Sequence, residues 1–125
     1  MLVDTDVLIW HLRGNPRAAQ RLDSLAPLTL SAVSYLELLQ GMRSKAEMLA
    51  VQKMLQQRRA DVLPITEAIT RRAVDLMEVM TLSHGLQMGD ALIAATALEL
   101  GVPLLTGNVR HFAPIASLQV EGFTA

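Results

Sequence analysis

Asp4, Glu37 and Asp90 lie far apart in the chain: Asp4 leaves the first short apolar run, Glu37 lies less than two turns into the helical pattern after the second, and Asp90 opens an apolar helical pattern. Asn108 follows the last strong apolar run in the same way. Carboxylates gathered at one point repel and raise one another's pKa unless a cation neutralises them. Their hard oxygen donors favour Mg²⁺ or Mn²⁺ over Zn²⁺, since the chain has no Cys and no paired His. A cation so held turns water into a nucleophile and stabilises the anionic oxygens of a phosphodiester under in-line attack. No side-chain nucleophile is then required. The chain contains no Gly-x-Ser-x-Gly, no Gly-x-x-x-x-Gly-Lys-Ser/Thr and no His-Glu-x-x-His.

Each of these residues also has a plainer use. Asp4 with Thr5 and Asp6 can supply a turn and a helix start. Ser34-x-x-Glu37 matches a capping box. Asp90 opens an apolar helix, where an acid suits the helix dipole. Asn108, after Thr106-Gly107, can be a turn residue. His11 and His84 show no ligand spacing and read as ordinary histidines, whereas His111 lies three residues past Asn108 and borders the same place. Met48, Met54 and Met77 read as core or interface filler.

The elements must bring the acids together. Leu2-Val3 reads as a first strand, followed by a helix from Thr5 or Asp6 to Leu12. Asn15-Pro16 is an N-cap with Pro at the first helical position, giving a second helix to about Leu25. Leu28-Thr29-Leu30 is a second strand. Helices over Val33–Leu39, stopped by Gly41, and Ala46–Arg58 follow. Val62 to Ile65 is a third strand, and Pro64 makes it an edge. Thr66 caps a helix to about Leu82. Asp90 to Leu100 is a nearly all-apolar helix closed by Gly101. Val102 to Leu105 and Leu118 to Val120 complete the strands. Strands separated by helices pair in parallel through right-handed crossovers. The fold class is therefore α/β, a three-layer sandwich with a small parallel sheet of four or five strands between helices. Ligands bind such sheets at the carboxyl ends of the strands, near the point where strand order reverses. That rule sends Asp4, Glu37, Asp90, Thr106 and Asn108 to one edge.

The 125 residues make one domain, spanning 1–125. The lack of Cys excludes a disulfide framework and fits a cytoplasmic protein. Met1-Leu2-Val3-Asp4 does not read as a signal peptide. The apolar stretch Ala91 to Leu105 is broken by Glu99, Gly101 and Pro103, so no membrane span is expected. A net charge of −1 gives no global basic footprint. Arg13, Arg17 and Arg21 are spaced for one helix face, and Arg58-Arg59 and Arg71-Arg72 are doublets; these read first as solvated helix surfaces. Hydrophobic residues make up 51%, more than one small domain readily covers, which points to a protein partner or self-association. The wide apolar faces of Asp6–Leu12 and Ala46–Leu55 are the expected contact surface.

Val3-Asp4-Thr5-Asp6-Val7-Leu8-Ile9, Ser34-x-x-Glu37-Leu38, Gly89-Asp90-Ala91-Leu92-Ile93-Ala94-Ala95 and Leu105-Thr106-Gly107-Asn108-Val109-Arg110-His111-Phe112 together resemble the PIN domain. Within it they resemble the VapC toxins of toxin–antitoxin pairs, over essentially the whole chain and in the right order. The resemblance implies a parallel sheet flanked by helices and a Mg²⁺- or Mn²⁺-dependent endoribonuclease that cuts structured RNA such as tRNA or rRNA. It implies a homodimer and a cognate antitoxin whose C-terminal segment blocks the site. By motif position, Asp4, Glu37 and Asp90 would be the metal-binding acids, Thr5 a polar neighbour and Thr106 a site-lining hydroxyl. Asn108 stands where many relatives carry a fourth Asp.

Two other readings remain open at this level. A haloacid-dehalogenase-like phosphatase would use Asp4-x-Asp6, but it needs a downstream Lys, and the only lysines are Lys45 and Lys53. A catalytically silent binding module of the same fold would explain Asn108 as decay.

Overall fold

Two adjacent residues, Leu2 and Val3, go to two different cores. Successive strand side chains point to opposite faces, so a sheet with a core on each side is set from the first strand onward. Leu104 and Leu105 repeat the division, the first joining Leu2 and the second joining Val3. The computed structural model covers all 125 residues. Its elements are β1 (Leu2–Val3), α1 (Thr5–Leu12), α2 (Pro16–Asp23), β2 (Thr29–Ser31), α3 (Ala32–Gln40), α4 (Lys45–Gln57), β3 (Asp61–Leu63), α5 (Glu67–His84), α6 (Met88–Leu100), β4 (Leu104–Thr106), α7 (Val109–Phe112) and β5 (Val120–Gly122).

All pairings are parallel, as strands joined through helices require. β1, β4 and β5 form a three-stranded ladder in that order, and β2 pairs with β3. β1 and β2 run side by side without a ladder between them. The strand succession therefore runs outward from β1 in both directions, with β2 and β3 on one side and β4 and β5 on the other. The order reverses between β1 and β4, the place where open α/β sheets leave a crevice at their carboxyl ends.

One core lies under α5, α6 and α7, with Ile69, Ala73, Ile93 and Phe112 packed on Leu2 and Leu104. The other lies under α1, α2 and α4, with Val7, Leu22, Val51 and Leu55 packed on Val3, Leu30 and Leu105. α3 serves both, through Val33 and Leu38. Each large apolar side chain buried this way stabilises the fold by roughly 1.5–3 kcal/mol. The buried face of α6 is mostly Ala91, Ala94, Ala95 and Ala97, so α5 and the sheet approach it closely.

The expected elements are all present, with shifted ends. The Asn15 side chain caps α2 by accepting from Ala18 N–H at 2.9 Å, with Pro16 at its first position. Gly101 closes α6 at φ 66°, a left-handed conformation that costs a side-chain-bearing residue energy. Pro64 falls one residue past β3, which is an edge strand paired only with β2. β4 starts two residues later than expected, because Val102 N–H is spent on Ala97 O in the helix cap. β5 also starts two residues later than expected: Leu118 N–H closes a turn onto Ile115 O, and Ser117 takes a positive φ of 67°. α7 is not legible from periodicity, being one turn long with only Phe112 buried. No helix is long and apolar enough to cross a membrane.

Candidate active site

Asp4 ends β1 and caps α1 with the same carboxylate. Its backbone N–H still extends the ladder, donating to Leu105 O at 2.9 Å. Its Oδ1 accepts the Thr5 N–H at 2.8 Å, and its Oδ2 accepts the Thr106 hydroxyl at 2.7 Å. The side chain is almost fully buried. Burial lifts its pKa from 3.8 to about 7; the Asp6 and Asp90 charges push the same way, against the bonds from Thr106 and Thr5. Thr106 is itself buried. It holds Asp4 from behind rather than lining an open site, and its oxygen also accepts the Asn108 N–H at 2.9 Å.

The capping-box use of Glu37 does not occur. α3 is capped by Ser31, whose hydroxyl accepts the Val33 N–H at 3.0 Å, so Ser34 lies inside the helix. Glu37 Oε1 instead accepts the Thr5 hydroxyl at 2.8 Å. Thr5 Oγ1 is also 2.9 Å from the buried Ser34 Oγ. A hydroxyl has one proton to give, so Ser34 donates to Thr5 and Thr5 donates to Glu37. The other Glu37 oxygen lies against α6: a Cβ added at Gly89 would stand 3.4 Å from Oε2. Gly89 is thus the close-approach point that lets Glu37 sit beside the first turn of α6.

Asp90 occupies that first turn, since α6 begins at Met88 rather than at Asp90 itself. It remains partly exposed. Its charge reaches Asp4, and His111 Nδ1 stands 3.4 Å from its Oδ2. The Asn108 side chain makes no capping bond to α7, so its amide is not spent on the turn.

Asp6 is the residue whose part was not foreseen. Its Oδ2 accepts the Gly107 N–H at 2.9 Å, while its Oδ1 is buried with no partner. Burial raises its pKa, opposed by the N–H of Gly107. A Cβ at Gly107 would meet Asp6 Oδ2 at 2.5 Å, so the Thr106-Gly107-Asn108 turn is docked on Asp6. The available signal was a Gly directly between Thr106 and Asn108.

Hydrogen bonds therefore link Asp4, Thr5, Glu37, Thr106 and Asn108 at the carboxyl ends of β1 and β4, and the sixth expected residue, Asp90, stands near enough for its charge to act on Asp4. No three Asp, Glu or His side chains, however, are grouped closely enough to form a finished metal cage. The chemistry of the donors still fits a hard divalent cation. A buried carboxyl at about 7, beside two further acids and an orphaned buried oxygen, is the electrostatic condition that such a cation relieves.

A family model described as "PIN domain" matches residues 1–117. The chain belongs to the PIN domain family. This sets aside the haloacid-dehalogenase-like reading. The domain is 47% identical over 116 residues to a Mycobacterium tuberculosis protein named Ribonuclease VapC10, covering 90% of this chain and 85% of that one. It is 38% identical over 124 residues to Ribonuclease VapC19 of the same organism, covering 94% and 96%. A solved toxin–antitoxin complex from Klebsiella pneumoniae contains a similar chain, with a TM-score of 0.78, 26% identity, and 94% and 93% of the two chains covered.

Beside the acids, this PIN domain has an open groove of about 620 Å³ between α1, α3 and α4. Ile9, Leu12, Leu38 and Val51 line its floor, and Arg13, Arg43, Glu37 and Glu47 its rim. It lies between the two helical segments expected to carry a contact surface. The arginine stripe is not a single face, because Arg13 caps α1 and stacks over Trp10 at 5.9 Å. Arg21 pairs with Glu121, Arg58 with Asp23, Arg71 with Glu67 and Arg72 with Glu99, so most of these charges are spent within the protein.

Proposed function

We propose that this PIN domain is a divalent-metal-dependent endoribonuclease, the toxin of a toxin–antitoxin pair, with Asp4, Glu37 and Asp90 as its metal-holding acids. The observation that carries the reading is the 47% identity, over nearly the whole chain, to a protein named a ribonuclease. The buried Asp4 carboxylate at the β1/β4 crevice supports the site assignment.

A Mg²⁺ or Mn²⁺ ion supplies the positive charge that activates water and stabilises the phosphodiester oxygens. The chain's residues do the rest. Thr106 and the Thr5 N–H fix both oxygens of Asp4, leaving it no rotamer freedom to lose on binding. The Ser34–Thr5 relay holds Glu37 toward α6. Asp90 stays partly exposed, where incoming substrate can reach it. Asn108 contributes a neutral amide at the rim. Burial of Asp4 lowers the local dielectric, which strengthens every charge interaction at that point.

RNA recognition rests on shape and backbone rather than base reading, since aromatic residues are few: Trp10, Tyr35, Phe112 and Phe123. Structured RNA, tRNA or rRNA, is the expected substrate. A cognate antitoxin segment fits the α1/α3/α4 groove, which has an apolar floor and charges of both signs on a rim that includes Glu37. Exposed Leu82, Val79 and Met88 supply apolar surface for a homodimer.

Incubation with RNA and Mg²⁺ or Mn²⁺, with and without EDTA and beside an aryl phosphate, tests the activity. Internal, EDTA-sensitive RNA cleavage is expected. Absence of cleavage with every ion leaves a silent binding module.

A further inference from the structure

His111 brings an imidazole to an edge otherwise made of oxygen donors. α7 places it there: its N–H donates to Asn108 O at 3.0 Å, which puts the residue one turn beyond Asn108. Its Nδ1 is 3.4 Å from Asp90 Oδ2, with the side chains 60% and 24% exposed. That separation exceeds the roughly 2.9–3.0 Å of an ordinary N–H···O bond. It has a different natural reading. Two donor atoms each about 2.1 Å from one octahedral ion stand about 3.0 Å apart at a right angle. The pair lies a few tenths of an ångström beyond that separation, a gap that a small turn of the exposed His111 side chain closes, and Asp90 already reaches Asp4 through its charge.

We propose that His111 is a nitrogen ligand for the divalent ion of this site and shifts its preference from Mg²⁺ toward Mn²⁺ and Co²⁺. The proposal rests on the metal-dependent reading above. Mg²⁺ prefers oxygen and gives up its waters reluctantly. Imidazole is a better ligand for first-row transition ions, and affinity rises from Mn²⁺ to Co²⁺. A carboxylate at the same place would discriminate less among these ions.

The test uses the whole protein, stripped with chelator and without RNA. Mg²⁺, Mn²⁺ and Co²⁺ are titrated by calorimetry into the unaltered chain, His111→Ala, His111→Asp and Asp90→Asn. His111→Ala is expected to weaken Co²⁺ by about tenfold or more, comparable to the loss of an outer-shell partner or worse, Mn²⁺ by less, and Mg²⁺ by under about twofold. Pulsed EPR of the Mn²⁺-loaded protein should show nitrogen coupling that His111→Ala removes. His111→Asp, which restores an oxygen donor, should tighten Mg²⁺ and show no coupling. Equal weakening of all three ions, or none, with no nitrogen signal would overturn the proposal and leave His111 as a neighbour of Asp90. Failure of the unaltered chain to bind any ion, or binding indifferent to Asp90→Asn, would instead remove the metal-dependent reading beneath it.

Discussion

The Thr106 hydroxyl donates to Asp4 Oδ2 across 2.7 Å, tying the carboxyl end of β4 to the carboxyl end of β1. The bond spans the point where strand order reverses, so the sheet's topology and its chemistry meet in one contact. It also lowers the Asp4 pKa, in opposition to burial. Thr106→Val should therefore raise the pH at which Asp4 ionises and shift the acid limb of the cleavage profile upward. Activity at neutral pH should fall by about 10–100-fold, the usual cost of losing a partner behind a metal ligand. Thr106→Ser should recover most of it. An unshifted profile in Thr106→Val would show that the hydroxyl is only packing.

Asp4→Ala, Glu37→Ala and Asp90→Ala should each lower RNA cleavage by about a hundredfold or more. The fold should survive, because none of the three anchors either core. Gel assays paired with circular dichroism check both halves. Full activity in Glu37→Ala would return Glu37 to a structural part.

The acids were legible because each follows a strand or opens a helix, and the parallel α/β rule assigns such positions to one edge. The partners of those acids were harder to read. Ser34-x-x-Glu37 has the spacing of a capping box, but β2 runs directly into α3, and Ser31 takes the cap. Glu37 is then free to turn toward Thr5, a contact across 32 positions that no local pattern encodes. The docking of Asp6 on Gly107 is likewise a product of packing, across 101 positions. The ends of β4 and β5 shifted for a local reason: cap and turn hydrogen bonds took residues that hydrophobicity alone would have placed in strands.

Asp6 should act by holding the Gly107 turn. Asp6→Asn keeps a carbonyl oxygen for the Gly107 N–H and should retain activity within a fewfold. Asp6→Ala hands that exposed N–H to water and should cost about 0.5–1.5 kcal/mol of stability. Gly107→Ala forces the 2.5 Å approach to open and should resemble Asp6→Ala. In the double variant the two losses should be less than additive, since both break one contact. Chemical denaturation of all four proteins measures the coupling, and strict additivity would show that the two residues act separately.

Asp4 also predicts a pH dependence of stability without metal. Its folded pKa is about 7, against an ordinary 3.8. Between those values the unfolded chain has lost the proton and the folded chain keeps it. Stability is therefore fully present below the lower value and is lost as pH rises through the upper one. The loss reaches a few kcal/mol at about 1.4 kcal/mol per unit. Asp4→Asn cannot ionise, so the stability difference between the two proteins should narrow or invert from pH 4 to about pH 8. Mg²⁺ or Mn²⁺ should stabilise the unaltered protein more at the upper end. Melting curves with chelator and with metal decide the matter, and a flat difference would mean Asp4 ionises normally.

The number of ions held before RNA arrives follows from charge. Asp4, Glu37 and Asp90 carry three negative charges when ionised. One Mg²⁺ neutralises two of them and keeps several waters, as it prefers with few carboxylate ligands. A second ion would make the site net positive, and two such cations about 4 Å apart repel each other. Asn108 offers only a neutral amide. Its backbone N–H is tied to Thr106 Oγ1 at 2.9 Å, which fixes the residue beside the acids without adding charge. The free protein should therefore bind one ion tightly, and a second should enter only with the RNA phosphate that supplies the missing charge. Asn108→Asp provides that charge in advance, on a side chain that makes no capping bond. It should strengthen binding of a second Mn²⁺ without RNA, visible in calorimetry as a stoichiometry rising from one to two. Two comparably tight sites in the unaltered protein, or no change in Asn108→Asp, would show that charge at this position does not set the metal count.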